Sequence, residues 1–149
     1  MTLAYHAGYV VDASVAVKWF AEDEPHLEQA LRLREHYRKG RCRVAVPGWL
    51  FFLEMANAMG RKRGHTEEKV AHILRSLSGY CFDVVPSNES LLAKTNAIAW
   101  GYRASIYDSA YVAVAEATGF PLVTADEELL KRMKGHSIVL PLWDLEFPA

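Results

Sequence analysis

Five short β-like runs alternate along this chain with longer segments of helical periodicity, and that alternation restricts the fold more than any other feature. Tyr9–Val11 reads as a first strand, Ser14–Phe20 as a short helix, and His26–Arg38 as a longer one with Leu27, Ala30, Leu31 and Arg34 on one stripe. Arg43–Val46 follows as a second strand, stopped by Pro47 and Gly48, before helices over about Trp49–Lys62 and Glu67–Leu77, parted by Gly64 and Thr66. Phe82–Val85 is a third strand, and Ser87 or Asn88 caps a helix to about Trp100. Tyr107–Thr118 gives a helix ending at Gly119, Leu122–Thr124 a fourth strand, Glu127–Lys134 a last helix and Ile138–Leu140 a fifth strand. A chain built this way buries a mostly parallel sheet between two layers of helix. No repeat, low-complexity stretch or linker divides it, so residues 1–149 are expected to form one domain.

The four acids Asp12, Glu54, Asp108 and Asp126 stand at special places in that alternation. Asp12 directly follows an apolar strand run and Asp126 lies just beyond another, while Asp108 and Glu54 lie on helices among small residues. In open parallel sheets the functional crevice lies beyond the carboxyl ends of the strands. Asp108 is followed by Ala110, Ala113, Ala115 and Ala117, small enough to let its helix approach the sheet, and Glu54 is set among Met55, Ala56 and Ala58. Converging carboxylates repel, by roughly 3 kcal/mol per pair at about 6 Å and an effective dielectric near 20. Several ionised together call for a cation, and an all-oxygen donor set without clustered His or Cys suits Mg²⁺ or Mn²⁺ rather than zinc. Simpler roles stay open for each acid. Asp126 before EELL suits a helix cap, Thr124 with Glu127 suits a capping box, Asp108 suits a cap as well, and Glu54 suits an ion pair with a neighbouring arginine.

The composition sets the outer bounds. With 51% hydrophobic and 23% charged residues among 149, the chain has an ordinary globular make-up, and a net charge of −1 argues against indiscriminate polyanion binding. No apolar run reaches membrane-spanning length and no secretory signal pattern opens the sequence, so a cytoplasmic protein is expected. Cys42 and Cys81 form no CxxC or Cys/His pattern and are expected to be buried free thiols.

The runs VVDASVAVKWF, LEMANAM and YDSAYVAVAEATGFPLVTADEELL resemble the successive acidic motifs of PIN-domain ribonucleases, most closely the VapC-type toxins of toxin–antitoxin pairs. The resemblance covers nearly the whole chain, and its last motif is the most specific, with Asp108, the Tyr111–Ala115 run, Gly119, Thr124 and Asp126 in order. It implies a three-layer α/β/α PIN-like fold with about five strands. It further implies a catalytic and metal-binding quartet of Asp12, Glu54, Asp108 and Asp126, with Ser14, Asn57 and Thr124 as supporting polar groups. Ser14 also suits a cap of the first helix, and Asn57 a solvent-facing or locally bonded side chain. The implied chemistry is Mg²⁺-dependent (or Mn²⁺-dependent) hydrolysis of RNA phosphodiesters, in which metal-activated water leaves a 5′-phosphate and a 3′-hydroxyl. The six histidines form no recognisable acid/base pair, which disfavours attack by the RNA 2′-hydroxyl.

Basic and apolar clusters point to partners. Arg61, Lys62 and Arg63 follow the Glu54 helix and are positioned to meet RNA phosphates, although a basic helix C-terminus also answers the helix dipole. Arg32, Arg34, Arg38, Lys39, Arg41 and Arg43, and separately Lys131, Arg132 and Lys134, read rather as solvated surface. Trp49, Leu50, Phe51, Phe52 and Leu53 run round the full circumference of a helix and cannot all face one core, and Val15, Trp19 and Phe20 are candidates to extend the same surface. The family resemblance implies a homodimer and an antitoxin whose C-terminal segment crosses such a groove. Two other classes fit part of the pattern. A phosphatase of the haloacid-dehalogenase kind also places Asp after its first strand, but expects a second Asp where this chain has Ser14. A non-catalytic PIN-like binding module with a residual acidic pocket would carry the same four acids.

Overall fold

A computed structural model of the chain describes residues 6–147. Its framework is a five-stranded sheet in the order β3-β2-β1-β4-β5, formed by β1 (Gly8–Val11), β2 (Arg43–Pro47), β3 (Asp83–Val85), β4 (Leu122–Thr124) and β5 (Val139–Pro141). Every pairing is parallel, with Val10 opposite Ala45 on one side and Leu122 on the other. All four residues of β1 and all three of β4 are buried, the continuous burial expected of strands covered on both faces. The strand order reverses at β1, which sends its chain toward β2 and accepts β4 on its other edge, so the crevice at the carboxyl ends of β1 and β4 is the switch point of the sheet.

Among the described residues seven α-helices complete a three-layer α/β/α arrangement: α1 (Ala13–Ala16), α2 (Leu27–Arg38), α3 (Gly48–Gly60), α4 (Glu67–Gly79), α5 (Glu89–Tyr102), α6 (Ile106–Thr118) and α7 (Glu127–Arg132). Helix α6 is the most deeply placed, with Ser109 and Tyr111–Ala115 all buried against β1, β2 and β4, and α5 packs on it. Two alanines among those positions, Ala113 and Ala115, allow the close approach. At its end Gly119 adopts φ 76°, a left-handed turn that glycine makes without steric cost, and its N–H closes on the Ala115 carbonyl at 2.9 Å. Asn88, Ser105 and Asp126 cap α5, α6 and α7 through their side chains.

Several expectations need correction. The first helix is interrupted: after α1 the segment Val17–Phe20 tightens into a 3₁₀ turn, letting the Trp19 indole N–H reach the Ala30 carbonyl at 2.8 Å. Val15 and Trp19 are therefore buried and do not extend the Trp49–Leu53 surface. The buried stripe of α2 is Ala30, Leu33 and His36, rotated from the expected one because Leu33 rather than Leu31 points inward. Cys42 is a buried free thiol, pushed up to about 11 by burial, whereas free Cys81 is exposed in the turn before β3, where its backbone takes φ 56°.

Candidate functional site

Two strands bring the first pair of acids together. Asp12 leaves the end of β1 with its N–H on the Val123 carbonyl at 3.1 Å, and one oxygen of its buried carboxylate accepts from the Ser14 hydroxyl at 2.7 Å and from Thr124 at 2.8 Å. Each hydroxyl spends its proton on Asp12 and accepts in turn from the chain beyond β4: Ser14 from the Ala125 N–H at 3.0 Å, Thr124 from the Asp126 N–H at 3.0 Å. The segment carrying Asp126 is thereby tied to the Asp12 carboxylate. One Asp126 oxygen accepts from the Glu128 and Leu129 N–H groups, at 2.9 and 3.3 Å, so this residue caps α7. The Thr124/Glu127 capping box does not form: Asp126 is the N-cap of α7, and the Thr124 hydroxyl accepts from the Asp126 N–H instead.

Two helices bring the other pair. Phe51, Met55 and Met59 anchor α3 in the core, leaving Glu54 half-buried on its flank with Oε1 enclosed and without a hydrogen-bond partner. Asp108 lies in the first turn of α6. It is not the cap expected as one alternative, since Ser105 caps the helix by accepting from the Asp108 N–H at 3.0 Å.

Burial raises the proton affinity of three of the four acids. Asp12 is pushed up to about 7, first by burial, against the pull of the Ser14 and Thr124 hydroxyls, and further by the charges of Glu54 and Asp108. Glu54 is raised by burial and by Asp108 and Asp126, and Asp108 by burial and by Asp126. The structure thus brings all four carboxylates within electrostatic reach at the switch point. The Tyr111 phenol, enclosed in α6, lies near enough to favour the ionised form of Glu54, yet neither its oxygen nor Glu54 Oε1 makes a hydrogen bond of proper geometry. This orphaned pair was not singled out from the sequence; a phenol one turn past Asp108 on a small-residue helix was the available signal.

Of the supporting residues, Ser14 and Thr124 hold Asp12, while Asn57 is exposed on α3. Arg61 and Arg63 are exposed. Lys62 is committed elsewhere: its ammonium lies 2.9 Å from Glu24, which also meets the buried Lys18 at 3.5 Å and is held below its usual range chiefly by Lys62. Arg132, read from the sequence as ordinary surface, is the cation that draws Asp108 back toward its ionised form.

Among the described residues no three His, Cys, Asp or Glu side chains are so gathered that they could hold a metal ion as placed. The donor chemistry nonetheless fits a hard cation. Mg²⁺ keeps much of its water and is commonly bound through one or two carboxylates plus substrate oxygens, and the bare Glu54 Oε1 and proton-seeking Asp12 are oxygens that lack a positive partner.

A family model described as PIN domain matches residues 9–135. A search of curated proteins gives no match. Among solved structures, the chain is similar to PAE2754 from Pyrobaculum aerophilum (24% identity, 92% of this chain and 85% of that one, TM-score 0.64). It is also similar to a chain of a toxin–antitoxin complex from Klebsiella pneumoniae (14%, 93% and 100%, 0.69). A third is VapC20 of Mycobacterium tuberculosis, described as a sarcin–ricin loop cleaving toxin (15%, 83% and 94%, 0.62). At these identities the likeness shows the fold.

Proposed function

The chain belongs to the PIN-domain family, and from that premise we propose that it is a metal-dependent endoribonuclease, the toxin of a toxin–antitoxin pair. The observation that carries the reading is the convergence of Asp12, Glu54, Asp108 and Asp126 on the sheet's switch point, with burial and mutual repulsion raising the first three. Such an arrangement is costly in an empty pocket and favourable around a cation.

In this reading the four carboxylates hold one or two Mg²⁺ or Mn²⁺ ions. These carboxylates would hold the ion, and the chemistry it would supply is activation of water and charge stabilisation at the scissile phosphate and the departing 3′ oxygen. Ser14 and Thr124 fix Asp12 and favour its ionised form, so that it can act as an oxygen ligand near neutral pH. Asp126 gives one oxygen to the α7 cap and keeps the other for the site. Glu54 and Asp108, borne by separate helices, close the opposite side. The expected products carry a 5′-phosphate and a 3′-hydroxyl.

Partners are proposed on two grounds. The toxin–antitoxin complex among the similar structures supports an antitoxin. The α3 run behaves as its periodicity requires, with Phe51 fully buried but Trp49 77% and Leu53 48% exposed. Trp49 and Leu50 line an apolar groove of about 550 Å³ with Val84, Leu92, Ile106 and Tyr107, which supports a protein partner there, an antitoxin or a second copy forming a homodimer. Among the described residues no helix is long and apolar enough to cross a membrane, in keeping with the proposed cytoplasmic location.

A substrate with a 2′-deoxy sugar at the scissile position tests the mechanism. Metal-activated water cuts it as it cuts the all-RNA substrate; resistance at that sugar alone would replace this chemistry with attack by the 2′-hydroxyl. Asp108→Asn is expected to remove cleavage while leaving the circular dichroism spectrum unchanged. A non-catalytic binding module predicts no metal-dependent cutting by the wild type.

A further inference from the structure

One cation that acts on the acids comes from α7, outside the run that follows α3. Of the run after α3, Lys62 is engaged by Glu24, and Arg61 and Arg63 are exposed. Arg132, from the last turn of α7, reaches across to the turn joining α5 and α6 and donates from one terminal nitrogen to the Arg103 carbonyl at 2.8 Å. That turn leads through the cap Ser105 into α6, whose first turn carries Asp108. The guanidinium is thus held at the edge of the acidic crevice, on the side of Asp108. It carries five N–H donors in a rigid fork, and it is exposed.

The rest of this edge has matching chemistry. Arg103 is exposed at the C-cap of α5, and Trp100, in the last turn of that helix, is 81% exposed. An indole so open to water, in the helical turn that ends at an exposed arginine, pairs a flat apolar face with a phosphate-binding fork. Single-stranded nucleic acid meets both, its unstacked bases lying on aromatic rings and its phosphates on cations; a continuous duplex offers no free base face.

We infer that Arg132, Arg103 and Trp100 form the track along which a single-stranded RNA segment enters the site, Arg132 contacting a phosphate adjacent to the scissile one and Trp100 stacking a neighbouring base. The inference rests on the nuclease reading and names the substrate contact for that same site. Arg132 is a binding residue here and takes no part in bond cleavage.

The test is fluorescence anisotropy with a labelled single-stranded oligoribonucleotide of about 12 nucleotides in EDTA, followed by cleavage in Mg²⁺, using the full chain. Relative to wild type, Arg132→Ala is expected to weaken binding about tenfold and to lower the salt-dependence slope by about 0.7. Arg132→Lys should restore the slope but only part of the affinity, since an ammonium lacks the fork. Trp100→Ala should weaken binding about tenfold with the slope unchanged, and Arg75→Ala on α4 should bind as wild type. The same oligonucleotide annealed to its complement should bind more weakly than the single strand. If wild type cuts RNA and Asp12→Asn does not, yet Arg132→Ala and Trp100→Ala bind and cut as wild type, this inference is overturned and the nuclease reading stands. The same holds if those two variants change only the oligomeric state seen by sedimentation, which would make this edge a protein contact. If wild type neither binds nor cuts any RNA offered, both readings fall.

Discussion

The two halves of the acidic crevice are built differently. On the strand side, Asp12 and Asp126 are fixed by the protein itself: two hydroxyls hold one carboxylate and two backbone N–H groups hold the other. On the helix side, Glu54 Oε1 is enclosed without a partner, and Asp108 has Ser105 and the more distant Arg132 as its favourable neighbours. The difference teaches that one half is preorganised before any ligand arrives, while the other is left polar and undercompensated. Unsatisfied buried acceptors cost about 1–3 kcal/mol each, and the cation proposed for this site would recover that cost.

Breaking the strand side should have the largest effect. Asp12→Asn removes the charge but keeps the shape, so RNA cleavage is expected to fall to background with the fold intact; wild-type rates from the purified variant would exclude Asp12 from the site. Thr124→Val comes next. It withdraws one of the two hydroxyls from Asp12 and an acceptor from the Asp126 N–H, and should lower Mg²⁺ affinity by about ten- to a hundredfold in calorimetric titration. An unchanged isotherm would mean that the hydroxyl network does not set the ligand geometry.

A pH effect of intermediate size separates charge from shape. Asp12 in the folded protein holds its proton up to about 7, above its ordinary value of 3.8, so the folded state binds that proton more tightly than the unfolded chain does. The stabilisation this gives is complete below the unfolded value and is lost as pH rises through the folded one. Without metal, Asp12→Asn should therefore melt at a higher temperature than wild type at pH 8 (about one unit above that folded value), and the gap should close toward pH 4 (near the unfolded value). A gap independent of pH would locate the destabilisation elsewhere. The smallest effect belongs to Tyr111→Phe. Removing a hydroxyl that makes no proper hydrogen bond should change the urea midpoint little, by about 1 kcal/mol or less in stability. A loss of about 3 kcal/mol or more would show that the phenol, and not a cation, compensates Glu54.

The fold was legible in the sequence because each strand and helix carries a local signal: Val-rich runs for the strands, Asn88 and Gly119 at helix ends. Errors arose where tertiary contact overrode the local signal. The 3₁₀ turn at Val17–Phe20 answers to a hydrogen bond across to Ala30, and the inward choice of Leu33 over Leu31 depends on which way α2 faces the sheet. The acids could be picked out because strand ends are readable and the crevice follows from a parallel sheet. What could not be read was the pairing of long flexible side chains. Lys62 turns to Glu24, 38 residues earlier, and Arg132 to the Arg103 carbonyl, 29 residues earlier; nothing local in the sequence marks either.

Incubating structured RNAs with the purified chain in Mg²⁺, Mn²⁺ or EDTA, beside Asp12→Asn, and identifying the product ends tests the central claim most directly. The account predicts cuts that need the metal, leave 5′-phosphates and disappear in the variant. Cutting that persists in EDTA or in Asp12→Asn would contradict it.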